Sequence, residues 1–135
     1  MSKIYEIILY WIIPSKKNSK QIVCKPFPKL LSSPAYNKWE KEQLEVVSNF
    51  MKKNGSLKNK SNLVMNVHFK VWLLKTKKPS MRAWDLSNKL ESIQDMLVKA
   101  KFIDDDNRFV ISEIISSWSD SETQDDYSII KFYEK

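Results

Sequence analysis

The sequence predicts an α+β domain in which one mixed β-sheet is covered by two main helices. Two kinds of hydrophobic period predict it. Leu63, Met65, Val67, Phe69, Val71 and Leu73 alternate with polar residues at period two, the pattern of a strand with one buried face. Tyr36, Trp39, Leu44, Val47 and Met51, and then Leu86, Leu90, Ile93, Leu97 and Ala100, recur at helical spacing. The 135 residues fit one domain, 1–135, and 42% hydrophobic composition with six Phe, five Tyr and five Trp can fill its core.

The elements follow in order. Ile4 to Ile13 is a β-rich run closed by Pro14, and Ser15 to Lys20 is a basic turn segment. Pro26 and Pro28 extend that irregular region to Ser33, because proline cannot donate to a strand ladder. Ser33 as N-cap and Pro34 as first helical residue open the first helix, which stops near Asn54-Gly55. The strand from Leu63 to Leu74 and a basic loop, Lys75 to Arg82, lead to Asp85 and the second helix. Asn88, Glu91 and Asp95 share the polar face of that helix. After the acidic turn Asp104-Asp105-Asp106-Asn107, two β-rich stretches, Phe109 to Trp118 and Tyr127 to Tyr133, flank a hairpin-like polar segment. The expected order is β, α, β, α, β, β.

A single cysteine, Cys24, excludes an internal disulfide or a zinc–thiolate cluster, and points to a reducing, cytoplasmic setting. No apolar run reaches the roughly 18 residues of a membrane helix, so no membrane partner is expected. The formal charge of +7 hides an asymmetry: residues 1–82 carry 17 Lys and Arg against 4 acids, and residues 83–135 carry 6 against 12. A basic first part fits a phosphate-bearing partner such as DNA; a lysine-rich solvated surface is the plainer account. The phosphate-contact set is Lys16, Lys17, Lys20, Lys75, Lys77, Lys78, Arg82 and Lys89, with Trp84 positioned to stack on an unpaired base. Trp72 is assigned to the core, His68 to a satisfied strand position, and Cys24 to an inert thiol.

Hydrolysis of a phosphodiester near neutral pH is served by a hard divalent cation held on carboxylates. Carboxylates concentrate at Asp85 and at the Asp104-Asp105-Asp106 turn, on opposite sides of the second helix. An N-capping aspartate and a solvated loop are the plainer accounts of each. A helix of about 15 residues, roughly 22 Å long, lies between them, so they converge only through the folding of the chain or through a second subunit.

Asp85-Leu86-Ser87-Asn88, then Asp95-Met96-Leu97, then Phe102 and Asp105-Asp106-Asn107-Arg108-Phe109-Val110 resemble the RusA family of Holliday-junction resolvases, whose pattern runs D-x-D-N, K, D-A-L and D-D-x-Q-V. Trp11, Pro14 to Asn18 and Ser33 to Trp39 extend the resemblance more weakly toward the start. The resemblance implies a compact α+β homodimer that makes paired Mg²⁺-dependent incisions in four-way DNA junctions during recombination and repair, often phage- or prophage-encoded, with Mn²⁺ as a substitute metal. It places Asp85 and Asp106 on metal-binding carboxylates, Asp105 on the neighbouring acid, Asn88 on the motif asparagine and Asp95 on the helix acid. The chain departs from the pattern twice, with Ser87 at the second acid and Glu91 at the helix lysine. Glu91 stands one turn after Ser87 on the same face and is the expected replacement ligand. Two other readings stay open: a nuclease-inactive branched-DNA-binding relative, and a basic interaction protein of a replication or recombination complex.

Overall fold

In a computed structural model of the chain, which describes residues 2–10, 20–23, 29–32, 34–71, 86–123 and 125–135, the central element is β4 (Leu63–Val71). It pairs in parallel with β5 (Ile111–Asp120) on one side and antiparallel with β6 (Tyr127–Glu134) on the other. β6 pairs antiparallel in turn with β1 (Ser2–Tyr10), so the mixed sheet runs β1-β6-β4-β5. Between β1 and the first helix, β2 (Lys20–Val23) and β3 (Lys29–Ser32) form a separate antiparallel pair. This mixed sheet with two helices is the α+β architecture that the sequence periods predict.

Helix α1 (Pro34–Asn54) opens and closes where expected. Its last turn carries Lys52 and Lys53, favourably placed at the negative end of the helix dipole. Gly55 terminates it at φ 86°, a left-handed conformation, with its N–H donating to the Met51 carbonyl at 2.8 Å. The Tyr5 hydroxyl donates to the freed Asn54 carbonyl, tying the helix end to β1. A side chain at Gly55 would meet that hydroxyl at 3.3 Å, a second reason for glycine there. The buried stripe is Tyr36, Trp39, Gln43 and Val47; it runs slightly to one side of the expected one, with Leu44 and Met51 only partly buried.

Helix α2 (Leu86–Lys99) supplies the crossover that a parallel β4–β5 pair requires. Ile93, Met96 and Leu97 are wholly buried and pack with Met65, Val67, Phe69, Ile130, Phe132, Ile7 and Leu9 in a single core. Both helices therefore cover the same sheet face. On the opposite face Ile8 and Tyr10 are exposed, and Tyr10 packs on Tyr127 with centroids 5.5 Å apart.

Two expectations are corrected. The region up to Ser33 is not wholly irregular: the β2–β3 pair lies in it, and Pro26 and Pro28 fall outside the described residues. The last two strands do not form a hairpin, because β4, with its buried alternating face, takes the position between them.

α2 ends in a device that sets the rest of the site. Lys101 adopts a left-handed φ of 62°. Its N–H donates to Val98 O at 3.0 Å, and the next N–H, of Phe102, reaches back to Leu97 O at 3.0 Å. These are the two bonds of a Schellman cap, and the buried Phe102 and Leu97 supply its usual apolar contact. A lysine in this conformation carries Cβ strain that glycine lacks. Lys101→Gly is expected to stabilise the fold by about 0.5 to 1 kcal/mol, the relief of strain less the added unfolded-state entropy; urea unfolding would show this as a higher midpoint at unchanged slope.

Candidate functional site

Because the chain reverses at Lys101, the acidic turn doubles back along α2 instead of projecting beyond it. Phe102 and Ile103, 0% and 1% exposed, anchor the reversal, and Leu57 N–H donates to the Phe102 carbonyl at 2.8 Å. The three aspartates then part company. Asp104 Oδ2 accepts the Asn59 N–H at 2.9 Å, which commits it to the loop after α1. Asp105 and Asp106 instead line a cavity of about 460 Å³ together with Tyr36, Asn37 and Glu40 of α1 and Asp95, Val98 and Lys99 of α2.

The turn is held in shape by its own side chains. Asp105 Oδ1 accepts the Asp106 N–H at 2.7 Å, and Asn107 Nδ2 donates to Asp105 Oδ2 at 3.1 Å. Asn107 Oδ1 accepts the N–H groups of Phe109 and Val110 at 3.0 and 3.2 Å, which starts the chain toward β5.

Four carboxylates against one ammonium make the cavity electronegative. Lys99 Nζ is spent on Glu40, at 2.5 Å. Asp106 titrates above the ordinary carboxylate range, first because burial penalises its charged form, then through its hydrogen bond to Asp105 and the nearby charges of Asp105 and Asp95. Asp105 is shifted the other way, chiefly by the Asp106 backbone N–H and then by the Asp106 side chain. The Tyr36 hydroxyl is pushed strongly upward by burial and then by Glu40, Asp95 and Glu91. That Glu91 acts on Tyr36 places the polar face of α2 toward the start of α1.

The expected site residues fall into three groups. Asp105, Asp106 and Asp95 line one cavity, whereas Glu91, exposed one turn, or roughly 6 Å, before Asp95, is not among the residues that line it. Asp85, Lys16, Lys17, Lys75, Lys77, Lys78, Arg82 and Trp84 lie outside the described residues, as do Cys24 and Trp72, and the side chains of Lys20 and Asn88 do too. Lys89 is corrected. Expected among the phosphate contacts, it is only 7% exposed, because it shares the inward face of α2 with Ser92, Ile93 and Met96. Among the described residues no three His, Cys, Asp or Glu side chains stand close enough to hold one ion.

Asn37 and Glu40 were not singled out from the sequence. The available signal was an acid one turn beyond Tyr36, beside the buried stripe of α1, where a carboxylate needs a partner. His68 sits mid-strand as expected, its Nδ1 and Nε2 engaged by Ser117 and Ser119 hydroxyls at 2.6 and 2.7 Å. No helix among the described residues is long and apolar enough to cross a membrane. No protein-family model matches the chain, and comparison with curated proteins gave no match.

The raised Asp106 pKa has a stability consequence. A carboxyl whose folded-state pKa exceeds its unfolded value stabilises the fold at acid pH, and that contribution is lost as pH rises through the folded pKa. The ionised group therefore opposes folding at pH 7. Asp106→Asn is expected to raise Tm at pH 7, with the gain shrinking as pH approaches the ordinary value of 3.8; thermal unfolding followed by circular dichroism across pH 3 to 8 tests the sign.

Proposed function

We propose that this chain is a divalent-metal-dependent DNA endonuclease that resolves four-way junctions as a homodimer. The observation that carries the reading is the return of Asp105 and Asp106 onto the polar face of α2, where they meet Asp95 in one electronegative cavity. The separation read from the sequence was that between this turn and Asp85, which lies outside the described residues.

The donor chemistry fits Mg²⁺. Every candidate ligand is a carboxylate oxygen, the set preferred by a hard cation. The Asp106 carboxyl is pushed up first by burial and then by its hydrogen bond to Asp105 and the charges of Asp105 and Asp95, and a cation bound beside it would offset those neighbouring charges. Asp105 and Asp106 would supply two ligands; no third described carboxylate stands close enough to share one ion with them, so Asp85, outside the described residues, would complete the set, with Glu91 the proposed fourth ligand. Bound there, Mg²⁺ supplies charge neutralisation at the phosphate and a more acidic water. The protein's own part is positional. The Asp105–Asn107 hydrogen bond and the Asp106 N–H to Asp105 fix the carboxylates of the turn, and Lys99 limits the charge of Glu40. The lysines of residues 1–82 give the phosphate track, the feature with the strongest expected salt dependence.

A nuclease-inactive DNA-binding relative is favoured by one specific feature, Ser87 in place of an acid, and the two separate cleanly in a cleavage assay. Asp85→Asn and Asp106→Asn are each expected to lower Mg²⁺-dependent cleavage of a synthetic four-way junction by at least 100-fold, roughly the loss of one essential catalytic group. Gel-shift affinity for the junction should be unchanged or tighter. Wild-type inactivity in Mg²⁺ and Mn²⁺ with retained branched-DNA preference would select the inactive relative. For Glu91→Gln the readout is the Mg²⁺ titration of cleavage, which should move to higher concentration; an unchanged midpoint would remove Glu91 from the ligand set.

A further inference from the structure

We infer that the seam between the loop after α1 and the turn after α2 is a phosphate-contact surface, on which Lys58, Lys101 and Arg108 hold the backbone of a DNA arm beside the acidic cavity. The inference rests on the proposed function only in taking the polyanion to be DNA. Four hydrogen bonds join the two segments: Leu57 N–H donates to Phe102 O at 2.8 Å, Asn59 N–H to Asp104 Oδ2 at 2.9 Å, Asn62 N–H to Phe109 O at 3.0 Å and Leu63 N–H to Val110 O at 2.8 Å. Lys58 and Lys101 thus each stand one residue from the first joint, and Arg108 one residue from the third. All three are exposed.

The pairing of charges singles them out. None belongs to the basic segments 15–20 and 75–82, and two lie in the part of the chain that is acidic overall. Of the six cations in residues 83–135, Lys89 is buried, and Lys99, Lys131 and Lys135 pair with Glu40, Glu6 and Glu113. Lys101 and Arg108 pair with no described acid, nor does Lys58. The carboxylates of the same turn are directed elsewhere: Asp104 accepts the Asn59 N–H, and Asp105 and Asp106 line the cavity. The turn therefore sorts its charges, cations along the seam and carboxylates toward the helices. A phosphodiester backbone crossing both would be held by the first while one phosphate meets the second.

Two local features add to this. Lys101 occupies the left-handed cap position, φ 62°, where glycine is the unstrained residue. Strain at one exposed cation points to a role outside the fold. The Arg108 guanidinium lies 5.0 Å from the centroid of the Phe109 ring, which is 69% exposed. A guanidinium held on an aromatic face loses freedom yet keeps in-plane N–H donors for a phosphate. The helix dipole accounts for Lys52 and Lys53 nearby, but for none of these three.

Fluorescence anisotropy of a labelled four-way junction in EDTA reads binding without cleavage. Lys58→Gln, Lys101→Gly and Arg108→Gln are each expected to weaken binding about fivefold and to flatten the dependence of log K on log salt by about 0.9, the share of one phosphate contact. Lys41→Gln removes the same charge from an exposed position of α1 and should change neither by more than about twofold. Lys101→Gly is the sharpest variant, because it is expected to stabilise the fold while weakening binding, so unfolding does not explain the loss. Equal losses in the Lys41 control and the three variants would overturn the inference. So would co-sedimentation with phosphatidylserine vesicles that the variants lose while keeping their affinity for DNA. A wild-type chain that binds no DNA would overturn it together with the proposed function, whereas wild-type binding that all three variants keep would overturn the inference alone.

Discussion

The burial of Phe102 is the constraint on which the rest of this structure hangs. Its ring packs on Tyr5 of β1, Phe50 of α1 and Phe132 of β6, with centroids 5.7, 6.0 and 5.5 Å away. One side chain thus joins the edge strand, the neighbouring strand and the end of the first helix immediately after the second helix stops. Full burial of a side chain of this size contributes on the order of 2 to 3 kcal/mol. That is enough to offset the left-handed turn at Lys101 that delivers it. The acidic turn inherits its position from this anchor: with Phe102 and Ile103 held inside, the next three residues have one way to go, back along α2.

That return explains how carboxylates remote in sequence come to share a cavity, and why they differ in role. Asp104 faces the loop after α1 and is consumed by a backbone N–H, whereas Asp105 and Asp106 face the helices. The same geometry shifts the two carboxyl groups in opposite directions. One carboxylate of the pair is supported by backbone and amide donors, and the other is left with burial and negative neighbours.

Much of the fold was legible because its periods are clean. The alternation from Leu63 onward and the proline and glycine bounding α1 located β4 and that helix closely. Strand neighbours were harder, since nothing local in Phe109 to Tyr133 states that β4 will part the last two strands. The β2–β3 pair was hidden because Pro26 and Pro28, in a short sequence window, argued against any ladder there. At the site, the Asp105-Asp106 motif was readable, but its approach to Asp95 depends on a cap formed without the usual glycine, so no sequence signal announced the turn. Lys89 shows the converse. Its charge suggested a surface, and helical phase, set by its neighbours Ile93 and Met96, turned it inward. Glu40 was masked by an ordinary-looking helix, its relation to the cavity arising only when α1 and α2 pack.

The position of β6 has a consequence for how the chain acquires this structure. β1 has no partner in the main sheet until the last strand arrives, since β6 lies between it and β4. On the ribosome, α1, β4, α2 and β5 can assemble as a local nucleus, but the apolar flank of β4 and the whole of β1 must wait for residues 127–134 to emerge. Closure is therefore a late step between segments more than a hundred residues apart, a topology that slows folding and leaves a sticky intermediate exposed in the meantime.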